Sequence, residues 1–269
     1  MSLFHALSAL TVDGFSLWTV LLICAGVFLA SFMDAIAGGG GIISVPTYLM
    51  AFSGHPTYFA LGTNKLSACI GTVFSTGRFI RRGYVDWALF APAAVLSLLG
   101  SVGGTWLQHR TPDAVLKYLL LAVLPVVAVV TLRGRSWPDE AGDMDPRLRR
   151  AVVWASAGLI GMYDGYYGPG TGTFLMLLFV RAARLDTRSA AGGTKVINLA
   201  SNLGSAAAAV AAGYVYMGVG LISAAAAVAG HYLGAGLAIR GGGRLVRPAV
   251  VIVLLLLTVK VGSELLAAV

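Results

Sequence analysis

The sequence predicts an all-α polytopic membrane protein built as two inverted-topology repeats, and three observations carry the prediction. Of its 269 residues 58% are hydrophobic and only 11% charged, with a mean hydropathy of +0.83, whereas soluble domains carry roughly 25% charged residues. Apolar runs follow one another along almost the whole chain. A glycine-rich break occurs twice inside such runs, as Asp34-Ala-Ile-Ala-Gly-Gly-Gly-Gly-Ile-Ile-Ser-Val-Pro46 and as Asp164-Gly-Tyr-Tyr-Gly-Pro-Gly-Thr-Gly-Thr173.

The runs read 15–35, 42–52, 57–77, 87–108, 114–132, 151–180, 189–212, 214–239 and 246–267. Most reach the ~20 residues a spanning helix needs. Run 42–52 covers only about half of a ~30 Å hydrocarbon core at ~1.5 Å per residue, and so predicts a half-helix. Residues 1–17 contain His5 and Asp13 but no Lys or Arg, so they lack the basic start of a secretory signal and are expected to be retained. Cys24 and Cys69 have no partner spacing for a metal or redox pair and read as packing residues.

Adding 130 to a position in the first half lands on a related position in the second. Asp34 maps to Asp164, Gly38 and Gly40 to Gly168 and Gly170, Gly62 and Lys65 to Gly192 and Lys195, Gly83-Tyr84-Val85 to Gly213-Tyr214-Val215, and Arg110 to Arg240. Accidental glycine matches do not explain the Asp, Lys and Gly-Tyr-Val coincidences together. The division is therefore 1–132 for the first repeat, 133–150 for a cytoplasmic polar linker and 151–269 for the second repeat. Each repeat is a broken helical hairpin plus three spans, 8–10 membrane helices in all.

Charge sets the relative orientation of the repeats. Arg78, Arg81 and Arg82 form a basic loop whose counterpart near 208–212 is uncharged, while the basic loop of Arg240, Arg244 and Arg247 corresponds to a stretch with little charge. The halves thus face opposite ways, both termini lie outside, and 14 of the 19 Lys and Arg fall in the cytoplasm. That distribution explains the net charge of +8 without a nucleic-acid partner. The partner is the lipid bilayer of a cell (inner, cytoplasmic) membrane.

A glycine break inside a membrane leaves backbone groups that lipid cannot satisfy, so the breaks should line a polar site. Interrupted helices at matching places of inverted repeats point to a secondary transporter with its site at the midplane. Lys65 and Lys195 each lie ~10–12 Å deep by helical rise. An intramembrane Lys costs ~2.5 kcal/mol or more on insertion scales and marks a functional site by default. The plainer reading is an ion pair within each half, Lys65 with Asp34 and Lys195 with Asp164; pairing and binding do not exclude each other. Asp34 and Asp164 are expected to hold the hairpins through a lysine or helix-start amides, not to carry a coupling proton. Gly40, Gly41, Gly170, Thr171 and Gly172 open short helices whose free N–H groups suit an anion. Ser44, Thr63, Asn64, Ser67, Thr173, Thr194, Asn198 and Asn202 add neutral donors, about half of them expected on the pathway because membrane Ser and Thr also satisfy helix backbones.

The Asp34 hairpin, the Gly62-Thr63-Asn64-Lys65-Leu66 motif after His55-Pro56 and the degenerate Gly192-Gly193-Thr194-Lys195 copy resemble the sulfite exporter TauE/SafE family over nearly the whole chain. The resemblance implies a permease, generally an exporter, for sulfite or short organosulfonates such as sulfoacetate. Members differ in which sulfur-containing anion they carry. The second half departs from the first in Pro169 and in Gly193-Thr194 at the place of Thr63-Asn64.

Other classes fit less well. The Gly-x-Gly patterns have no βαβ unit around them, the two aspartates lack the sequence context of an intramembrane protease, and no ATP-binding loop is present. The reading is therefore not an enzyme, with no cofactor and no metal. An anion channel, or a permease for a different small organic anion, is the alternative. His231 reads as a packing or interhelical hydrogen-bonding residue rather than a proton relay. The small residues around it and around Gly100–Gly104 permit close helix contact, in a homodimer face or in internal packing.

Overall fold

Helices around a polar middle make up the computed structural model, which describes residues 10–116, 118, 119, 122 and 140–241. The expected span 246–267 lies outside the described residues, as do most of span 114–132 and the first part of the linker.

A two-residue hairpin, β1 (Thr11–Val12) and β2 (Phe15–Ser16), opens the fold. Its turn residues Asp13 and Gly14 both have positive φ, 52° and 85°. Ser16 caps α1 (Leu17–Ala37) by accepting from Thr19 N at 3.2 Å, and Asp13 Oδ2 accepts from Val219 N at 2.9 Å near the start of the helix that begins at Met217. The short α2 (Gly41–Ala51) follows, then α3 (Thr57–Arg81) and α4 (Trp87–Gln108), whose first amides are held by Asp86. The second half repeats this order: α5 (Pro146–Tyr166), the seven-residue α6 (Thr171–Leu177) continued by a π turn (Leu178–Ala182), α7 (Thr187–Ala211) and α8 (Met217–Gly241). Asp145 and Asp186 cap α5 and α7 through their side chains, satisfying amides that have no partner inside the helix. The central helices α3 and α7 span 57–81 and 187–211, so the 130-residue offset holds at both ends.

The chain breaks where the glycine runs fall. Gly38 and Gly39 stand at φ of 75° and 91°, Gly168 and Gly170 at 97° and 85°, a region that side-chain-bearing residues avoid. The two breaks touch through bare backbone: a Cβ on Gly38 would lie 2.7 Å from the carbonyl carbon of Gly172.

Contacts between the halves come in exchanged pairs. Gly62 packs on the Tyr214 carbonyl and Gly192 on the Tyr84 carbonyl; Gly100 packs on Gly158 and Met162, and Gly230 on Phe28 and Phe32. Each partner set is the other displaced by 130. Thus α4 of the first half packs on α5 and α7 of the second, and α8 of the second packs on α1 and α3 of the first. Gly100, Gly104, Gly230 and Gly234 are internal helix contacts of this kind. At the centre α3 runs antiparallel to α7, since Lys65 reaches Asn202 while Thr76, farther along α3, reaches the Lys195 carbonyl.

These directions gather Arg78, Arg81, Arg82, Arg147, Arg149, Arg150, Arg181, Arg184 and Arg188 at one end of the bundle, where Arg149 also ties down the Ala183 carbonyl at 3.2 Å. Large apolar side chains such as Leu22, Leu99 and Leu159 are outside, and Thr63, Ser67, Thr72, Ser97 and Ser201 are buried. Polar inside and apolar outside is the arrangement of a helical protein solvated by lipid. Among the described residues three helices are long and apolar enough to cross a membrane: Leu17–Ile36, Trp87–Gln108 and Met217–Ile239. The 25-residue α3 and α7 have the length for it, ~37 Å, but their inward faces carry the lysines, asparagines and hydroxyls that lower their hydropathy.

Candidate functional site

Four charges meet where the breaks converge. Asp34 and Asp164 sit on the last turns of α1 and α5, and Lys65 and Lys195 lie in the first halves of α3 and α7. All four are buried, where an unpaired charge would be very costly. Lys65 Nζ lies 2.7 Å from Asp164 Oδ2, and Lys195 Nζ lies 3.1 Å from Asp34 Oδ2 while also donating to the Asp34 carbonyl.

The pairing expected within each half is therefore corrected: Lys65 pairs with Asp164, not Asp34, and Lys195 with Asp34, not Asp164. The reason is the meeting of the breaks. Because Gly38 abuts Gly172, the end of each broken helix projects into the opposite half, beside that half's antiparallel central helix and its lysine.

Each aspartate also fastens the start of a short helix. Asp34 Oδ1 accepts from Gly40 N at 3.2 Å, and Asp164 Oδ1 accepts from Thr171 Oγ1 at 2.6 Å. Their second oxygens are engaged too, Asp164 Oδ2 by Ser201 Oγ at 2.7 Å and Asp34 Oδ2 by Asn198 Nδ2 at 3.5 Å. Lys65 donates a further bond to Asn202 Oδ1 at 3.3 Å. Glycine is favoured at 168 by its φ of +97°, and a Cβ there would stand 3.1 Å from Lys65 Nζ, which would have to give by a few tenths of an ångström.

Between these groups lies a small cavity, with about 50 Å³ in which the centre of a water-sized molecule can sit. Gly40, Gly41, Ser44, Asn64, Lys65, Ser67, Gly170, Thr171, Gly172, Asn198 and Asn202 line it together with Asp34 and Asp164. Thr63, Thr173, Thr194 and Lys195 stand outside that lining: Thr63 Oγ1 accepts from Tyr216 N at 3.0 Å, and Lys195 sits behind Asp34. The Thr173 and Thr194 hydroxyls are buried with no hydrogen-bond partner among the described residues. Ser67 is shared, donating to the Asn64 carbonyl and accepting from Tyr48.

The lining also includes Ser31, Gly39, Thr72, Gly168 and His231, which motif reading did not single out as site residues. The repeat could have supplied Thr72, which stands 130 before Asn202. It could not supply His231, whose counterpart is Ser101. Among the described residues no group of three or more His, Cys, Asp or Glu is placed to hold a metal ion. The chemistry on offer is an ammonium, side-chain amides and hydroxyls around a space for a small polar solute.

A bundle with a lipid-facing apolar exterior and a charged cavity at paired helix breaks defines the class of multi-pass membrane transporters. The family described as "Sulfite exporter TauE/SafE" matches residues 22–261. The chain belongs to that family. It is 35% identical over 253 residues to "Probable membrane transporter protein ORF9" of Sinorhizobium sp, covering 93% of this chain and 94% of the relative. It is also 35% identical over 243 residues to a "Probable membrane transporter protein" of Haemophilus influenzae, with 89% and 92% covered. To "Probable membrane transporter protein YfcA" of Escherichia coli K12 it is 31% identical over 235 residues, with 86% and 85% covered. No solved structure matches the chain.

Proposed function

We propose that the protein is a secondary transporter that exports small sulfur-containing anions, sulfite or short organosulfonates such as sulfoacetate, across the cytoplasmic membrane. The observation that carries the reading is the central cavity where the two helix breaks meet and where α3 presents Asn64 and Lys65 and α7 presents Asn198 and Asn202. The exchange of contacts under a shift of 130, with α3 antiparallel to α7, supports inverted repeats related by a two-fold axis lying across the helices. Such repeats permit alternating access, because rocking one half against the other opens the same site first to one side and then to the other. The arginine-rich end supports a cytoplasmic assignment for that face, with both termini outside.

A sulfonate or sulfite oxygen triad accepts donors from several directions, which suits one ammonium and several amides. Taurine would bring its own ammonium against Lys65 and should bind worse than sulfoacetate. Calorimetric titration of purified protein with sulfite, sulfoacetate, taurine, sulfate and acetate tests the substrate class. Saturable binding of the first two, stronger than of taurine and acetate, is the expected result; preference for acetate would replace sulfur anions by carboxylates.

A further inference from the structure

The charges around the cavity cancel. Lys65 and Lys195 are each matched by a carboxylate, Asp164 and Asp34. An anion entering that space brings a negative charge into a low-dielectric interior with no net positive charge to receive it. Something must supply the balance.

Besides Lys65 and the two aspartates, the cavity wall carries one more ionisable side chain, His231 of α8. It is 2% exposed, and its Nδ1 is buried with no hydrogen-bond partner among the described residues. Six other buried side-chain atoms among the described residues share that state, the His109 ring nitrogen and the Thr173 and Thr194 hydroxyls among them, but of the seven only His231 lines the cavity. The site for it is made by an exchange of sizes between the halves. Where the second half has Ser201 bonded to Asp164, the first half has Gly71, and a Cβ on Gly71 would come within 2.6 Å of the imidazole Cδ2. The groups facing it are Asp34 from α1 and Lys195 from α7 nearby, with Lys65 of α3 and Asp164 of α5 on the cavity wall.

We infer that His231 is the proton-binding residue of the transport cycle: it takes up one proton as an anion occupies the cavity and releases it as the anion leaves. The inference rests on the anion-transport reading and adds the coupled ion to it. The proton comes from the aqueous side to which the cavity is open, converts imidazole to imidazolium, and returns to water with the departing anion. A monoanion then crosses with no net charge. Its flux follows the substrate and pH gradients, not the membrane voltage.

Methanesulfonate is the probe of choice because it does not itself titrate near neutral pH. Added to purified protein in weakly buffered detergent solution with a pH indicator, it should cause uptake of about one proton per anion bound. Its Kd should weaken about tenfold per pH unit on the alkaline side, as linkage requires for one coupled proton. His231→Ser, which installs the residue of the opposite half, and His231→Gln should bind without proton uptake and lose that pH dependence. Binding to the unaltered protein without uptake overturns the inference and leaves the transporter standing. Uptake that persists in the folded variants overturns the assignment to His231. If neither methanesulfonate nor sulfoacetate binds at any pH, the anion site falls and this inference falls with it. Should both variants aggregate, the stoichiometry and pH profile of the unaltered protein decide.

Discussion

A buried ammonium and its carboxylate are worth most when one of them is removed, and that sets the first prediction. Lys65→Met leaves Asp164, 2% exposed, without its counter-charge, and should cost about 3–5 kcal/mol of stability. Adding Asp164→Asn should restore most of the loss, whereas adding Asp34→Asn should not. Thermal unfolding of the three variants in detergent checks the crossed pairing; rescue by Asp34→Asn would contradict it. The restored double variant should bind sulfoacetate more weakly, since the ammonium is gone. That all four charges belong to one site was legible from their depth and from the 130-residue offset. Which lysine meets which aspartate was not, because the nearer partner in sequence lies on the wrong side of the meeting breaks. His231 was not legible as a cavity residue either, since its polar neighbours come from α1, α3 and α7 and its repeat counterpart is a serine.

The breaks depend on glycines that hold positive φ while touching another backbone. Gly168→Ala adds a side chain at φ +97° and crowds Lys65 Nζ, and should destabilise by about 1–3 kcal/mol, measured by thermal unfolding. Gly77→Ala, at a position with open space, is the matched control and should be neutral or slightly stabilising because it favours the helix. An equal effect of the two would remove the strain argument. Helix packing makes a sharper demand at Gly104, where a Cβ would stand 2.0 Å from the Met162 carbonyl oxygen. Gly104→Leu should separate α4 from α5 and abolish a monodisperse peak in size exclusion. The short helices and their starts were legible in the glycine runs, which mark where a helix cannot continue. The π turn at Leu178–Ala182 was not, because no residue type there distinguishes it from the α-helix it extends.

Over the whole molecule the inverted arrangement turns the arginine-rich end and the aromatic end to opposite compartments. At the aromatic end Phe15, Phe52, Phe59 and Tyr216 pack ring against ring, with centroids 4.5–5.0 Å apart. Single cysteines at the exposed positions Ser53 and Glu140, in a background lacking Cys24 and Cys69, should label from opposite sides of intact cells. Labelling from the same side would contradict the inverted arrangement. The 130-residue offset was legible at this scale, and the ends of α3 and α7 keep it. The interlocking of the halves, α4 on α5 and α8 on α1, was not, since packing partners leave only a scatter of small residues in a sequence rich in them. The most direct test of the central claim is counterflow in proteoliposomes. Vesicles loaded with unlabelled sulfoacetate should accumulate labelled sulfoacetate transiently and saturably, and those carrying the Lys65→Met, Asp164→Asn variant should not. Uptake that never saturates and does not respond to internal substrate would contradict a carrier and make the protein a channel.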